Sequence, residues 1–188
     1  FPINESATTD KPLSFYAATK KCNEVIAYSY SNIYNLPSTG LRFFTVYGPL
    51  GRPDMALFKF TKNILKNKKI ELYNNGKHTR DWTYVDDTVN AVLAIMNKAP
   101  RSVVPYSIYN VGSNKPNKLK VFLNFIEDSL KKKAKIKNMK LQQGDVMMTH
   151  ADNRAIIKKT KIKFSIDIKT GIQNFISWYE KYYNNKKK

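Results

Sequence analysis

The sequence predicts an α/β protein built on parallel strands, and three observations carry that expectation. Apolar segments of strand length alternate with segments of helical period along most of the chain. The run Thr39-Gly40-Leu41-Arg42-Phe43-Phe44-Thr45-Val46 is apolar with little alternation, as in a parallel strand buried on both faces. It ends in Tyr47-Gly48-Pro49-Leu50-Gly51-Arg52-Pro53, and loops at the carboxyl ends of parallel strands are where open α/β sheets bind ligands.

Residues 1–13 read as an irregular loop, because Pro2, Asn4, Asp10 and Pro12 all break regular structure. A helix follows through Tyr16 to about Tyr34, and Asn35-Leu36-Pro37 stops it. On that helix Cys22, Val25, Ile26, Ser29, Tyr30 and Ile33 fall on one stripe, the expected core face. Tyr16 and Lys20 stack one turn apart, well over a quarter-turn from the middle of the stripe. Ala17, Ala18 and Thr19 fill the turn between them with small side chains, room for a flat ligand to approach the backbone.

Beyond the strand at 39–46, Met55, Phe58, Ile64 and Leu65 predict a helix over residues 55–67. A short strand Ile70-Glu71-Leu72-Tyr73 leads through the turn Asn74-Asn75-Gly76-Lys77 into a strand at residues 80–85. Asp86 or Asp87 is expected to cap the next helix, with Val89, Val92, Leu93 and Met96 as its core face. A strand at 106–111, closed by Gly112, precedes a helix near 121–132 and a strand near 136–141. Gly144-Asp145 opens a loop, and a short helix begins near Asp152. The last helix, about 167–183, sets Ile168, Ile172, Phe175, Ile176 and Tyr179 on one face. No internal repeat or low-complexity segment stands out beyond the tail Lys186-Lys187-Lys188.

At 188 residues and 42% hydrophobic, the chain can bury a sizeable core, and its composition excludes a disordered class. No apolar run is long enough to span a bilayer, no segment of the chain reads as a signal peptide, and the single Cys22 cannot form an internal disulfide. A cytoplasmic protein without a membrane partner is expected. The net charge of +19 raises nucleic acid as a partner. The charge is nearly all lysine, spread over helices and loops with a local cluster at Lys131-Lys132-Lys133. The arginines that read bases and phosphates are few: Arg42, Arg52, Arg80, Arg101 and Arg154. The basicity therefore reads as compositional bias, with no specific nucleic-acid partner, on a surface that attracts anionic ligands such as sugar nucleotides. The chain begins Phe1-Pro2-Ile3 rather than with Met, and is expected to be a piece of a longer protein.

An ammonium beside a phenol favours the phenolate, so Tyr16 and Lys20 form a candidate proton-transfer couple. The competing reading is a surface Tyr and Lys on an ordinary helix, a spacing that arises easily in a chain with 12 tyrosines. His78 and His150 have no partner at ligand spacing and read as incidental rather than as metal ligands. No Gly-x-x-Gly-x-x-Gly or Gly-x-Gly-x-x-Gly occurs, so the phosphate cradle of a dinucleotide fold is missing from this chain.

Three segments together resemble the extended short-chain dehydrogenases of the NAD-dependent epimerase/dehydratase family. They are Pro12-Leu13-Ser14-Phe15-Tyr16-Ala17-Ala18-Thr19-Lys20-Lys21, Gly40-Leu41-Arg42-Phe43-Phe44-Thr45-Val46-Tyr47-Gly48-Pro49 and Gly51-Arg52-Pro53-Asp54-Met55-Ala56. Arg80-Asp81-Trp82-Thr83-Tyr84-Val85-Asp86-Asp87, Gly144-Asp145 and Trp178-Tyr179 with Tyr182-Tyr183 match further family motifs, and the narrower likeness is to the UDP-glucuronate 4-epimerase branch. The resemblance implies the C-terminal part of a Rossmann-type fold whose glycine-rich N-terminal βαβ half, with a catalytic Ser/Thr, lies before Phe1. Residues 1–49 would be the last part of the Rossmann domain. Residues 50–188 would be mainly the smaller sugar-nucleotide domain, with the strand at 106–111 returning to the Rossmann sheet.

The same resemblance implies NAD as cofactor, a UDP-sugar substrate and a homodimer of the complete enzyme, paired through helices that include the one carrying Tyr16. Tyr16 would be the general base at the sugar 4-hydroxyl, and Lys20 would bind the nicotinamide ribose and lower the tyrosine pKa. Arg80 would hold the diphosphate, Arg52 would lie near the nucleotide-sugar, and Asp145 would contact the uridine ribose. Thr45 stands where relatives acting on neutral sugars carry Asn, and reads as a contact to the C5 carboxylate. The product would feed capsule or lipopolysaccharide synthesis, with the isolated piece itself inactive.

Alternatives stand beside these roles. Arg80 could pair with Asp81 or Asp86, Arg52 could brace its loop, Asp145 could cap a turn, and Thr45 could be a plain buried strand residue. Gln143 departs from the family's Pro before Gly-Asp. Other functions open to the chain are a neutral-sugar epimerase, a 4,6-dehydratase, a decarboxylase and a basic polyanion-binding module.

Overall fold

The computed structural model describes residues 1–142 and 144–184, so Gln143 and the tail Lys186-Lys187-Lys188 lie outside the described residues. The order is α1 (Phe15–Tyr34), β1 (Ser38–Phe43), β2 (Thr45–Tyr47), α2 (Ala56–Leu65), β3 (Lys69–Tyr73), a 3₁₀ turn (Asn74–Gly76) and β4 (Thr79–Tyr84). Then come α3 (Val85–Met96), β5 (Tyr106–Val111), β6 (Pro116–Lys118), α4 (Leu119–Leu130), β7 (Lys135–Met139), α5 (Arg154–Thr160) and α6 (Ile168–Asn184). The α/β class and most elements agree with the sequence reading; the short β6 was not foreseen. Among the described residues no helix is long and apolar enough to cross a membrane.

Parallel pairing dominates. β1 runs parallel to β5 with Gly40 opposite Ile108, and β3 parallel to β7 with Ile70 opposite Ile136. β2 runs parallel to β4 with Thr45 opposite Trp82, while β6 lies antiparallel on the other edge of β4. The single strand expected at 39–46 is therefore two. At Phe44 the backbone N–H still donates to Val111 (3.0 Å), and beyond it the chain leaves β5 for β4. Past β2, Gly48 takes φ +142°, and a Cβ there would collide with Val85. Only glycine lets this loop cross so close to the start of α3.

The main core lies between α2, α4 and α6 and the strands β3 and β4, centred on Phe58, Ile70, Trp82, Phe122, Ile172 and Phe175. Trp82 and Phe122 stack with centroids 3.8 Å apart, and Tyr47 meets both rings edge-on. Burial pushes the Tyr47 phenol well above its ordinary pKa, helped by the nearby Asp167. A smaller core joins Ala91, Val111 and Ile156 under α3 and α5.

Two expected core faces are not core. On α1 the stripe of Cys22, Val25, Ile26, Ser29, Tyr30 and Ile33 is exposed, Ile33 at 65%. The face turned to β1 and β5 instead carries Ala17, Glu24, Ala27 and Ser31. Polar tethers set that rotation: Glu24 pairs with Arg42 on β1, and Ser31 Oγ donates to the Leu36 carbonyl (2.8 Å). On α3 the predicted face fails likewise, with Val89, Leu93 and Met96 exposed and Asp87, Thr88, Ala91 and Ile95 buried. Neither Asp86 nor Asp87 caps α3; its N-cap is Tyr84, without a side-chain cap bond. Both acids occupy the first turn, where the helix dipole favours them, and Asp87 accepts from the Ile166 amide (3.1 Å).

Candidate active site

Residues 1–13 are irregular but tied down. Ile3 donates to His150 (2.8 Å) and accepts from Asp152 (2.9 Å), and Asn110 Nδ2 reaches the Ile3 carbonyl (3.0 Å). This anchoring delivers the chain to Ser14, whose Oγ caps α1 by accepting from the Ala17 amide (3.2 Å). The helix begins there, so Tyr16 and Lys20 occupy its first two turns. Tyr16 is 70% exposed, and Lys20 Nζ stands 5.2 Å from its ring centroid.

Both residues line an open depression of about 820 Å³ between α1 and β1. Ala17, Ala27 and Gly40 line it with little side-chain bulk, as the small residues after Tyr16 imply. Its floor holds an ion pair: Arg42 Nε and Nη2 donate to the two carboxylate oxygens of Glu24 at 2.7 and 2.8 Å. The Arg42 hydrogen bond holds the Glu24 carboxyl below its ordinary pKa, and Glu24 raises that of Arg42 in return.

A second polar group sits where the chain returns after β7. Arg80 Nη2 donates to Asp145 Oδ1 at 2.7 Å, and Nη1 donates to the Thr79 carbonyl at 3.0 Å. Arg80 thus pairs with neither Asp81 nor Asp86. Asp81, with no exposed surface, accepts instead from Ser113 N and Oγ, Asn114 N and Ala151 N at 2.7–3.0 Å. The Asp145 amide donates to the Gln142 carbonyl (3.2 Å), while its carboxylate, rather than capping a turn, faces Arg80. Gly144, one residue before Asp145, lies against Leu13 and Ser14, which brings this pair beside the start of the Tyr16 helix.

His78, read from sequence as incidental, is 3% exposed with Nε2 3.1 Å from Asp145 Oδ2, without the alignment of a hydrogen bond. Nothing in the sequence signals that contact, which runs from the residue before β4 to the loop after β7. Glu24 did leave a signal, standing one turn beyond Lys20 on the same helix face. His150 Nε2 lies 2.5 Å from Asn114 Oδ1. Among the described residues no group of three or more His, Cys, Asp or Glu could hold a metal ion.

Arg52 forks onto Asp54 two residues along, with both side chains largely exposed. That pairing raises the Arg52 pKa above its ordinary value. Thr45 opens β2, half-buried beside Trp82.

A parallel α/β frame with a Tyr-x-x-x-Lys helix over an open depression defines the Rossmann-type extended short-chain dehydrogenase class. The chain belongs to the NAD dependent epimerase/dehydratase family, whose model matches residues 1–112. It is 46% identical, over 97% of its length, to Protein CapI of Staphylococcus aureus, and covers 59% of that protein. It is 42% identical, over its full length, to UDP-glucuronate 4-epimerase 4 of Arabidopsis thaliana, and covers 46% of it. The fold superposes on UDP-glucuronic acid 4-epimerase of Bacillus cereus, solved with UDP-glucuronic acid and NAD, at a TM-score of 0.90. That match has 26% identity and covers 97% of this chain and 57% of the other. The chain thus spans about half the length of the curated relatives it matches.

Proposed function

We propose that this chain is the C-terminal part of an NAD-dependent UDP-sugar 4-epimerase, and that its substrate is UDP-glucuronate, converted to UDP-galacturonate. The observation that carries the reading is the Tyr16–Lys20 couple at the mouth of the depression, with the Arg80–Asp145 pair beside the start of the same helix. Residues 1–49 and the strand β5 form the Rossmann side in this reading, and most of residues 50–188 the sugar-nucleotide side.

The depression fits one end of NAD: it is lined by small residues, and Tyr16 and Lys20 offer a hydroxyl and an ammonium for a ribose. It has no glycine loop for the diphosphate, so these residues hold only the nicotinamide end. Bound there, the cofactor supplies a reversible hydride acceptor for sugar C4.

Tyr16 Oη takes the 4-hydroxyl proton as the alcohol becomes a ketone, and returns it to the oxygen on the opposite face. Lys20 binds the ribose and keeps positive charge beside the Tyr16 ring. The keto sugar must turn over between the two steps, which requires an anchored diphosphate and a loosely held sugar. Arg80 supplies the anchor, oriented by Asp145, which also accepts from the uridine ribose. Arg52, freed from Asp54, lies at the nucleotide-sugar, and the Thr45 hydroxyl donates to the C5 carboxylate. The exposed stripe of α1 is the surface through which the complete enzyme pairs as a homodimer, and the product serves capsule or lipopolysaccharide synthesis.

The full-length protein, given NAD and UDP-glucuronate in D₂O, should yield UDP-galacturonate that retains protium at C4 in its proton NMR spectrum. Deuterium at C4 would exclude hydride return. Turnover of UDP-glucose with UDP-glucuronate untouched would exclude the role of Thr45.

A further inference from the structure

We propose that Arg42 is a positioning residue for the Tyr16–Lys20 couple: by holding Glu24, it prevents that carboxylate from drawing the Lys20 ammonium away from Tyr16. The inference rests on the reading of Tyr16 and Lys20 given above.

Tyr16, Lys20 and Glu24 follow one another at four-residue spacing on α1, and all three line the depression. A carboxylate one helical turn from a lysine is its ready ion-pair partner. Lys20 does not take it. Its Nζ lies over the Tyr16 ring, and among the described residues Lys20 makes no ion pair.

Arg42 accounts for the difference. Its Nε and Nη2 cover both oxygens of Glu24, and Nη1 donates to the Glu5 carbonyl at 3.1 Å, which fixes the guanidinium from the far side. Each side chain of the pair keeps only 21% of its exposure, so either charge left alone there would be poorly solvated. The other cation acting on Glu24 is Lys21, and its Nζ is already held by Thr9 Oγ1 at 2.8 Å and Asp10 at 3.2 Å. With Arg42 removed, Lys20 is the uncommitted cation one turn away from a shielded, unpaired carboxylate. A lysine at position 42 would not restore the arrangement, because one ammonium cannot cover both oxygens as a guanidinium fork does.

The test compares Arg42→Gln, Glu24→Gln, the double variant and Lys20→Met in the full-length enzyme with saturating NAD, with thermal unfolding of each. Arg42→Gln should lower kcat at least about tenfold with KM for the UDP-sugar little changed, because proton transfer rather than binding is impaired. Glu24→Gln should lower kcat by no more than about threefold, and the double variant should recover to that level, because the competing carboxylate is gone. A mere brace between α1 and β1 predicts otherwise: the two single variants would be equally impaired and the double no better, which would overturn the proposal. If Arg42→Gln does not fold, Arg42→Lys with and without Glu24→Gln makes the same comparison. Wild-type kcat in Lys20→Met would instead overturn the underlying catalytic reading.

Discussion

One arm of the Arg80 guanidinium goes to Asp145 and another to its own strand, which leaves the neighbouring Asp81 to an entirely different task. Asp81 ties β4 to two segments remote in sequence: its oxygens accept from the Ser113 and Asn114 amides and the Ser113 hydroxyl of the β5–β6 loop, and from the Ala151 amide. Asp81→Asn replaces one acceptor oxygen with a donor that faces other donors. Fully buried, the site offers no water to relieve that clash, so urea unfolding should show a loss of about 2–3 kcal/mol. An unchanged midpoint would mean that the network contributes nothing to stability. The motif around Asp81 was visible in the sequence, but its partners were not, because hydrogen bonds spanning from β4 to Ala151 leave no local trace. The contact of His78 with Asp145 leaves no local trace for the same reason, whereas Tyr16 and Lys20 are legible because helical spacing alone places them together.

At the scale of elements, periodicity identified every long helix and misassigned two of their faces. A period of 3.6 shows that one side of a helix is apolar; it does not show what covers that side. On α1 the covered face is the one with Glu24 and Ser31, tethered to β1 and to the helix's own exit, while Val25, Ile26 and Ile33 face outward. Residues 39–46 look like one strand in the sequence for a related reason, since the change of pairing partner at Phe44 is a non-local event. The exposed stripe has a direct consequence. Ile26→Glu should change the unfolding free energy of the 188-residue chain by less than about 0.5 kcal/mol, as expected for a surface substitution. If the full-length protein pairs through this face, as proposed, wild type should sediment as a dimer and the variant as a monomer. A dimer that survives it would remove α1 from the subunit interface.

Across the whole molecule, a net charge of +19 makes each ionised carboxylate valuable to stability. Glu24 is held low by Arg42, Asp152 by Arg154, and Asp167 by the Thr170 amide and hydroxyl. A carboxyl depressed in the fold stabilises it above the unfolded-state pKa of about 4. That stabilisation is lost as pH falls through the lower folded values. Urea midpoints should therefore match at pH of about 7 and 5 and fall below about 4. A midpoint that rises on acidification would contradict those shifts.

The proposed epimerisation depends above all on Tyr16, and the decisive measurement is the rate of UDP-galacturonate formation from UDP-glucuronate by full-length wild type and Tyr16→Phe with NAD. The variant should bind the nucleotide normally and lose at least about a hundredfold in kcat, the scale of a missing general base. A Tyr16→Phe enzyme that epimerises at the wild-type rate would contradict it.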